Sequence, residues 1–313
     1  MQIPRWLLLG VVWVANCSSA CPQTLTYKAT AVADTVELFQ PVWVHFVTYN
    51  LTADTIPVSP LTPDVATHVM IVYNDRGDSV VDRYTAGTYL WQPGDAIAPH
   101  GTKEDYTQLD YFSRFRDSLS GRGYFPPGTY RMVSRWRYDP WGRTTVGRSP
   151  FLCDTIEFHV LTPSGRDSLA MVSFIGAERE RGTRRAELLW QTYRQFPQSC
   201  YAPDCLSEVA MSMHIKDSRV DWLALPDVVH ALALVAPNHP RVVREIKLTS
   251  GWNESGVGWA EKGKNMDREF LRSIADSVPP DSRAGKICAS LLNGVESEVL
   301  HLTPGFGEDR RNR

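Results

Sequence analysis

One segment, residues 258–265, nearly matches a phosphate-binding motif. Its sequence GWAEKGKN follows the G-x-x-x-x-G-K-[ST] pattern, in which backbone N–H groups hold phosphates and the last hydroxyl binds Mg²⁺. Asn265 lacks that hydroxyl, and no strand clearly precedes the segment. We therefore interpret it as a glycine-rich surface loop between helices and predict no nucleotide cofactor.

Short enzyme signatures based on histidine or serine do not occur in the sequence. There is no H-E-x-x-H pattern, no close histidine cluster with the spacing of metal ligands, and no G-x-S-x-G motif. The histidines are His45, His68, His100, His159, His214, His230, His239 and His301. We expect the first two and His159 to lie on strands, and we predict neither a metal site nor a catalytic residue.

Two tryptophans fall in a glycine-rich segment, 249–265, that has no clear periodicity. Long irregular loops are often functional, and aromatic side chains are enriched where proteins recognise partners. Trp252 and Trp259 are therefore candidate binding residues. The interpretation that we favour is that both side chains pack the segment against neighbouring helices.

The first twenty residues have the features of an export signal. Arg5 precedes an apolar stretch over residues 6–15, and Ser18 and Ala20 are small residues before a cleavage point. This pattern predicts a signal peptide over 1–20. The stretch is shorter than the ~20 apolar residues of a membrane-spanning helix, so we expect a periplasmic or extracellular protein.

Cys21 directly follows the predicted cleavage point, where a bacterial lipoprotein carries its lipid. Ser18, however, stands where lipoprotein signals prefer Leu or a similar residue. Lipid attachment at Cys21 and simple secretion therefore both stay open. Such an anchor is the one link to a membrane that the sequence suggests.

The other cysteines predict disulfides, because exported chains meet oxidising conditions. Cys200 and Cys205 bracket a Pro-containing turn, which can bring two Cα atoms within the roughly 4.4–6.8 Å of a disulfide. Two reduced cysteines on adjoining helical turns are the alternative. A bond between Cys153 and Cys288 would then link the two halves of the chain.

Residues 21–162 show the alternation that is typical of β-strands. Apolar and polar side chains alternate with a period of two, and clusters of turn residues separate the segments. The segments are 42–47, 68–73, 130–138 and 156–160, with a predicted tight turn at 74–78. Several short strands between Gly and Pro turns favour an antiparallel β-sandwich.

Three of these segments carry a resemblance to a known group of modules. They are QPVWV at 40–44, NLTAD at 50–54 and PGTYRM at 127–132. Together they resemble the extended strand, Asn-rich turn and Pro-Gly-x-Tyr strand of the immunoglobulin-like β-sandwich modules that begin many exported bacterial proteins. The resemblance covers less than half of the chain, and it implies a fold without implying a function.

Helical periodicity replaces the alternation after Pro163. Ser164 can cap a helix whose apolar positions include Leu169, Val172 and Ile175, and we interpret the charges at 178–185 as a solvated helix end. Similar proline-containing joints follow apolar helices at positions 197, 237 and 280.

This self-similarity predicts stacked helical hairpins over 163–301, followed by a disordered tail over 302–313. Residues 190–202 resemble tetratricopeptide-type repeats, whose usual period is shorter than the spacing of the joints. The predicted fold class is therefore α+β in two segregated domains. An antiparallel, immunoglobulin-like sandwich over 21–162 precedes an all-α domain of helical hairpins.

These patterns favour a non-catalytic cell-envelope or secreted protein that binds a protein or glycan partner. The alternative is an extracytoplasmic hydrolase with a carboxylate or histidine site at the cleft between the domains, a common place for pockets. The formal charge of -2 argues against a nucleic-acid partner, because phosphate contacts need a basic surface.

Overall fold

The computed structural model describes residues 25–57, 68–81, 84–85, 96–137, 151–214, 223–251 and 267–293. Within these ranges all strands precede all α-helices, so the chain is α+β in the predicted order. The predicted signal peptide and Cys21, the tail over 302–313, and both Trp252 and Trp259 lie outside the described residues.

The N-terminal half, which we call the sheet half, is built from short strands. They are β1 (Leu25–Ala31), β2 (Thr35–Glu37), β3 (Trp43–Asn50), β4 (Ile56–Pro57), β5 (His68–Asn74), β6 (Tyr84–Thr85), β7 (Ala96–Ile97), β8 (Thr102–Gln108), β9 (Gly128–Arg137) and β10 (Phe151–Leu161). One sheet has the order β1-β3-β8 and a second has the order β2-β10-β9-β5-β6, while β4 pairs with β7. Neighbouring strands are antiparallel except β2 and β10, which are parallel.

One hydrophobic core is shared by the two main sheets. Phe46 of β3 is buried in the same cluster as Met132 of β9 and Phe158 of β10. In β9, Tyr130 and Met132 are buried whereas Arg131 is exposed, because successive side chains of a strand point to opposite faces. The alternation in the sequence therefore predicts the buried face of this strand correctly.

The predicted turn at 74–78 is confirmed. The Gly77 N–H donates to the Asn74 carbonyl at 3.0 Å, and the Asp78 N–H donates to the Asn74 side chain at 2.8 Å. Gly77 has a φ of 85°, a conformation that glycine adopts at little steric cost.

Seven α-helices lie in the described part of the C-terminal half, which we call the helical half. They are α1 (Gly165–Glu178), α2 (Gly182–Gln195), α3 (Ala202–His214), α4 (Leu225–Val235), α5 (Val242–Thr249), α6 (Arg268–Ala275) and α7 (Arg283–Leu292). Pro197, Pro237 and Pro280 each lie in the short joint between two consecutive helices, as the sequence predicts. None of the helices described here combines the length and apolar character that crossing a bilayer requires.

Helix α1 differs from the prediction in the face that it buries. Leu169 and Val172 are 60% and 66% exposed, whereas Ala170 and Phe174 are fully buried. Ile175 is buried as expected. The first helix of a stack has a helical neighbour on one side only, so its outer apolar residues remain in solvent.

Candidate functional site

A continuous chain of buried polar side chains joins the sheet half to the helical half. We call it the junction network. Its members are Gln108, Asp110, Tyr111, Arg122, Glu178, Arg185, Glu208 and Arg241.

Two glutamates bridge three arginines in this network. The Glu178 carboxylate accepts hydrogen bonds from Arg122 at 3.0 Å and from Arg185 at 2.6 Å. The Glu208 carboxylate accepts from Arg185 at 2.6 Å and from Arg241 at 2.7 Å. Arg122 belongs to the sheet half and the other four residues to the helical half, so the first of these pairs crosses the junction.

Arg241, which belongs to the helical half, forms hydrogen bonds with residues of the sheet half. Its guanidinium donates to Gln108 Oε1 at 3.1 Å and to the Tyr111 hydroxyl at 2.7 Å. The Gln108 amide donates to Asp110 at 2.8 Å, and Asp110 also accepts the Val42 N–H at 3.1 Å. The network therefore ends on the backbone of the sheet half.

Burial and charge act against each other at these carboxyl groups. Burial alone would raise the pKa of Glu208, but Arg241, Arg185 and Arg122 together hold that pKa well below its ordinary value of 4.5. At Asp110, burial outweighs Arg122 and raises the pKa above 3.8. Three arginines thus face two glutamates and one aspartate whose charged form is disfavoured.

The junction network is a structural device that fixes how the two halves meet. A buried ion pair contributes little net stability over an apolar pair, but it strongly disfavours arrangements that leave one charge unpaired. The Arg122 guanidinium also lies 4.8 Å from the centre of the Phe174 ring, a favourable cation–π distance. The prediction of a solvated helix end at 178–185 is therefore wrong for Glu178 and Arg185, which lie inside this network, whereas the other charged side chains of the run are exposed.

A second group of side chains meets at another part of the junction. Glu37 ends β2, Asp167 lies in the first turn of α1, and Cys200 lies in the joint before α3. The Cys200 thiol donates to Glu37 Oε2 at 3.3 Å, and the Cys200 N–H donates to Asp167 Oδ1 at 3.2 Å. One ligand atom from each residue lies within 4.8 Å of the other two, although the residues are as far as 163 positions apart.

Neighbouring contacts hold this group in place. The Gln40 amide donates to the Cys200 carbonyl at 3.2 Å, and the Tyr201 hydroxyl donates to the Leu38 carbonyl at 2.5 Å. Burial raises the pKa of the Cys200 thiol above 9.0, and the hydrogen bond and negative charge of Glu37 raise it further. The thiol is therefore protonated at neutral pH in this arrangement.

The cysteines of the structure are arranged differently from the predicted disulfides. Cys153, Cys200, Cys205 and Cys288 are all thiols. Cys200 faces β2 through its contact with Glu37, whereas Cys205 is fully buried in the helical core. Cys153 is exposed and Cys288 is buried, so neither expected bond is present among these four described cysteines.

An open pocket of about 270 Å³ lies on the helical half between α4 and α6. Three of its seven lining residues are acidic, and the lining consists of Pro226, Asp227, His230, Asp267, Glu269, Phe270 and Ser273. Asp267 caps α6 by accepting the Phe270 N–H at 2.9 Å, so the helix start fixes one wall. His230 Nε2 is buried there and has no hydrogen-bond partner among the described residues.

The candidate tryptophans lie on the segment that adjoins this pocket in sequence. The Asp267 N–H donates to the Ser250 carbonyl at 2.9 Å, so the described residues 250 and 267 on either side of this segment are adjacent beside the pocket. Trp252 and Trp259 belong to that segment and lie outside the described residues.

The predicted strand histidines do lie on strands. His45 is on β3 and contacts Glu104 at 3.0 Å, His159 is on β10 and contacts Thr129 at 3.0 Å, and His68 begins β5. Neither His45 nor His159 belongs to the pocket or to the group around Cys200.

Comparisons with known proteins give only distant similarities. No protein-family model matches the chain, and no curated protein sequence matches it significantly. Among solved structures, the CARDB domain of a Pyrococcus furiosus protein is 14% identical over 45% of this chain and 96% of its own, with a TM-score of 0.24. A β-glucosidase from Listeria innocua, in complex with gluconolactone, is 11% identical over 46% of this chain and 17% of its own, with a TM-score of 0.24. The sporulation control protein Spo0M from Bacillus subtilis is 9% identical over 49% of this chain and 55% of its own, with a TM-score of 0.23.

Proposed function

We propose that the protein is an exported, non-catalytic binding protein whose helical half captures a protein partner in the envelope or outside the cell. In this proposal the sheet half is an immunoglobulin-like sandwich, the helices are tetratricopeptide-like hairpins, and the partner presents a Lys or Arg side chain to the pocket between α4 and α6. The export signal in the sequence supports the location.

The pocket's unpaired acidic lining carries the proposal. Asp227 and Glu269 are exposed, and no Lys or Arg of the described residues forms an ion pair with either carboxylate. Clustered carboxylates without a counter-charge attract a cationic group, and complementary charges of this kind speed association and select partners. A glycan would instead engage the carboxylates through hydroxyl groups, which do not require their charge.

The junction network, which does not line the pocket, supports the same proposal. It fixes the helical half against the sheet half through buried, oriented hydrogen bonds. A pre-ordered surface loses less conformational freedom on binding than a mobile one, and this favours affinity. The binding surface then needs no large rearrangement.

A comparison of charge-matched variants tests the proposal. The Asp227→Asn/Glu269→Gln variant removes two carboxylates from the pocket, and the Asp75→Asn/Glu180→Gln variant removes two exposed carboxylates elsewhere. We expect capture of proteins from envelope extracts to fall for the pocket variant and to persist for the other, and to weaken for the wild type as salt is raised. Equal capture by the two variants, or capture of glycans alone, contradicts the proposal.

A hydrolase is the second candidate, and one feature of the pocket favours it. Asp227, Glu269 and His230 are residue types that perform general acid–base catalysis, and they line a single pocket. In this alternative the site lies on the helical half and not at the cleft between the two halves. Hydrolysis of an envelope polymer that is lost in Glu269→Gln supports this candidate, and absence of turnover by the wild type rejects it.

A further inference from the structure

The geometry around Cys200 points to a zinc-type metal site, formed by Glu37, Asp167 and Cys200, that bridges the two halves of the molecule. This inference is independent of the proposed binding function. It rests on three residues that β2, α1 and the joint before α3 bring together.

The spacing of the ligand atoms suits a small divalent cation. A tetrahedral ion with metal–sulfur and metal–oxygen distances near 2.3 and 2.0 Å has sulfur and oxygen ligands about 3.5 Å apart. Cys200 Sγ and Glu37 Oε2 are already 3.3 Å apart. The Asp167 oxygen lies within 4.8 Å of both, so a side-chain adjustment completes a three-ligand site with one open position.

The donor set selects the kind of metal. Ca²⁺ and Mg²⁺ take oxygen ligands almost exclusively, whereas Zn²⁺ accepts thiolate and carboxylate together. One thiolate and two carboxylates carry three negative charges, which more than balance the two positive charges of a divalent ion. Zn²⁺, or Co²⁺ as its spectroscopic substitute, is therefore the class of ligand that fits.

A buried carboxylate next to the three ligands provides a second observation. Asp204 lies in the first turn of α3, four residues after Cys200, and its charge acts on the Cys200 thiol together with those of Glu37 and Asp167. The Asp204 side chain is only 8% exposed and takes part in no hydrogen bond with the described residues. It lies 3.5 Å from His239 Nε2, which is itself buried without a hydrogen-bond partner among those residues.

Three carboxylates thus act on one half-buried thiol, and His239 is the ionisable group that Asp204 contacts. Charge at such a place is normally paired. A divalent cation at the three ligands would relieve the repulsion. It would also bond directly to both the sheet half and the helical half.

Metal binding at this site has a defined proton balance. A thiol of ordinary pKa is protonated at neutral pH, so forming the metal–sulfur bond releases one proton to the solvent, while the two carboxylates bind in their charged form. Affinity must therefore increase as the pH rises. A site made of carboxylates alone would release no thiol proton.

The test is a titration of the full chain, freed of metal, with Co²⁺ and Zn²⁺. We expect one equivalent to bind, with a thiolate-to-cobalt charge-transfer band and release of one proton, measured by calorimetry in buffers of different ionisation enthalpy. Zn²⁺ should displace Co²⁺ and raise the Tm, because a ligand that binds only the folded state stabilises it.

Matched cysteine variants give the test its specificity. Cys200→Ser should lose the band, the proton release and the Tm increase, while Cys153→Ser, which removes an exposed cysteine, should keep all three. Glu37→Gln keeps the thiol and should weaken binding at least tenfold. A band that persists in Cys200→Ser, metal binding without proton release, or no binding to the folded wild type overturns the inference.

Discussion

Glu208 is the residue through which two helices and one loop are tied to the sheet half. It bonds Arg185 and Arg241 and is almost fully buried. Replacing it with Gln leaves Arg241 without its negative partner and leaves Arg185 paired with Glu178 alone. Breaking a buried ion pair in this way costs about 3–5 kcal/mol. We expect Glu208→Gln to lower the free energy of unfolding by that amount in urea titrations.

A surface pair on α2 provides the matched control. Glu187 lies 3.5 Å from Arg184, and both side chains are accessible to solvent. Because exposed ion pairs contribute about 1 kcal/mol or less, Glu187→Gln should change stability far less than Glu208→Gln. Equal losses of stability in the two variants would contradict the claim that burial makes the Glu208 ion pairs important for stability.

The same carboxylate predicts how stability depends on pH. The pKa of Glu208 in the folded protein is held below its ordinary 4.5 by the surrounding arginines. Its contribution is therefore complete above that ordinary value and is lost as the pH falls through the folded pKa. Asp110 has the opposite effect on the pH dependence of stability, because burial raises the pKa of its carboxyl group.

We expect the Tm of the wild type to fall as the pH decreases below about 4.5. The fall should be smaller in Glu208→Gln, which has no carboxyl group to protonate at this position. Circular dichroism melts of both proteins over the acid range measure the difference. Parallel pH profiles would contradict the assigned role of Glu208.

Residue pairings of this kind cannot be predicted from local sequence patterns. The run of charges at 178–185 has the pattern of a solvated helix end, and only the fold shows that Arg185 meets Glu208, which lies 23 positions away. Arg241 and Gln108 are 133 positions apart. The group around Cys200 and the acidic pocket were missed for the same reason, because their members come from separate elements.

At the scale of elements, the loop from 110 to 124 depends on a close backbone approach at Gly123. A Cβ at this position would lie 1.7 Å from the Asp110 carbonyl oxygen, which belongs to the backbone and cannot rotate away. Gly123→Ala should therefore displace the backbone near Asp110 and Arg122, and overpacking of this kind costs about 1–3 kcal/mol.

Gly176 on α1 is the control for Gly123. A Cβ there meets nothing within 4 Å, and Ala is favoured over Gly inside a helix by about 0.5–1 kcal/mol. We expect Gly176→Ala to raise the Tm and Gly123→Ala to lower it in the same thermal melts. An unchanged or raised Tm in Gly123→Ala would contradict the close approach of Gly123 to Asp110.

Helices, strands and the joints between them were predicted best where the sequence signal that identifies them is local. The joints at Pro197, Pro237 and Pro280 were identified because proline interrupts helical periodicity wherever it occurs, and the alternation in β9 identified its buried face. The exposed positions Leu169 and Val172 were not foreseen, because which stripe of a helix is covered depends on its neighbours. The parallel pairing of β2 with β10 likewise depends on chain topology.

At the scale of the whole molecule, the junction network makes the two halves depend on each other. Buried pairs such as Arg122–Glu178 are satisfied only when both halves are folded and docked. We therefore expect one cooperative thermal transition for the wild type, with equal calorimetric and van't Hoff enthalpies. Two transitions in the wild type would contradict the coupling.

The central claim is that the pocket between α4 and α6 binds a cationic group of a protein partner. Photo-crosslinking in cells tests it most directly, with a photoreactive amino acid at Ser273 on the pocket wall and, as the control, at the exposed Leu119 of the sheet half. We predict a discrete crosslinked protein from position 273 alone, attached next to a Lys or Arg of the partner and lost when Asp227→Asn and Glu269→Gln are added. No discrete product from position 273, or the same products from both positions, would contradict the claim.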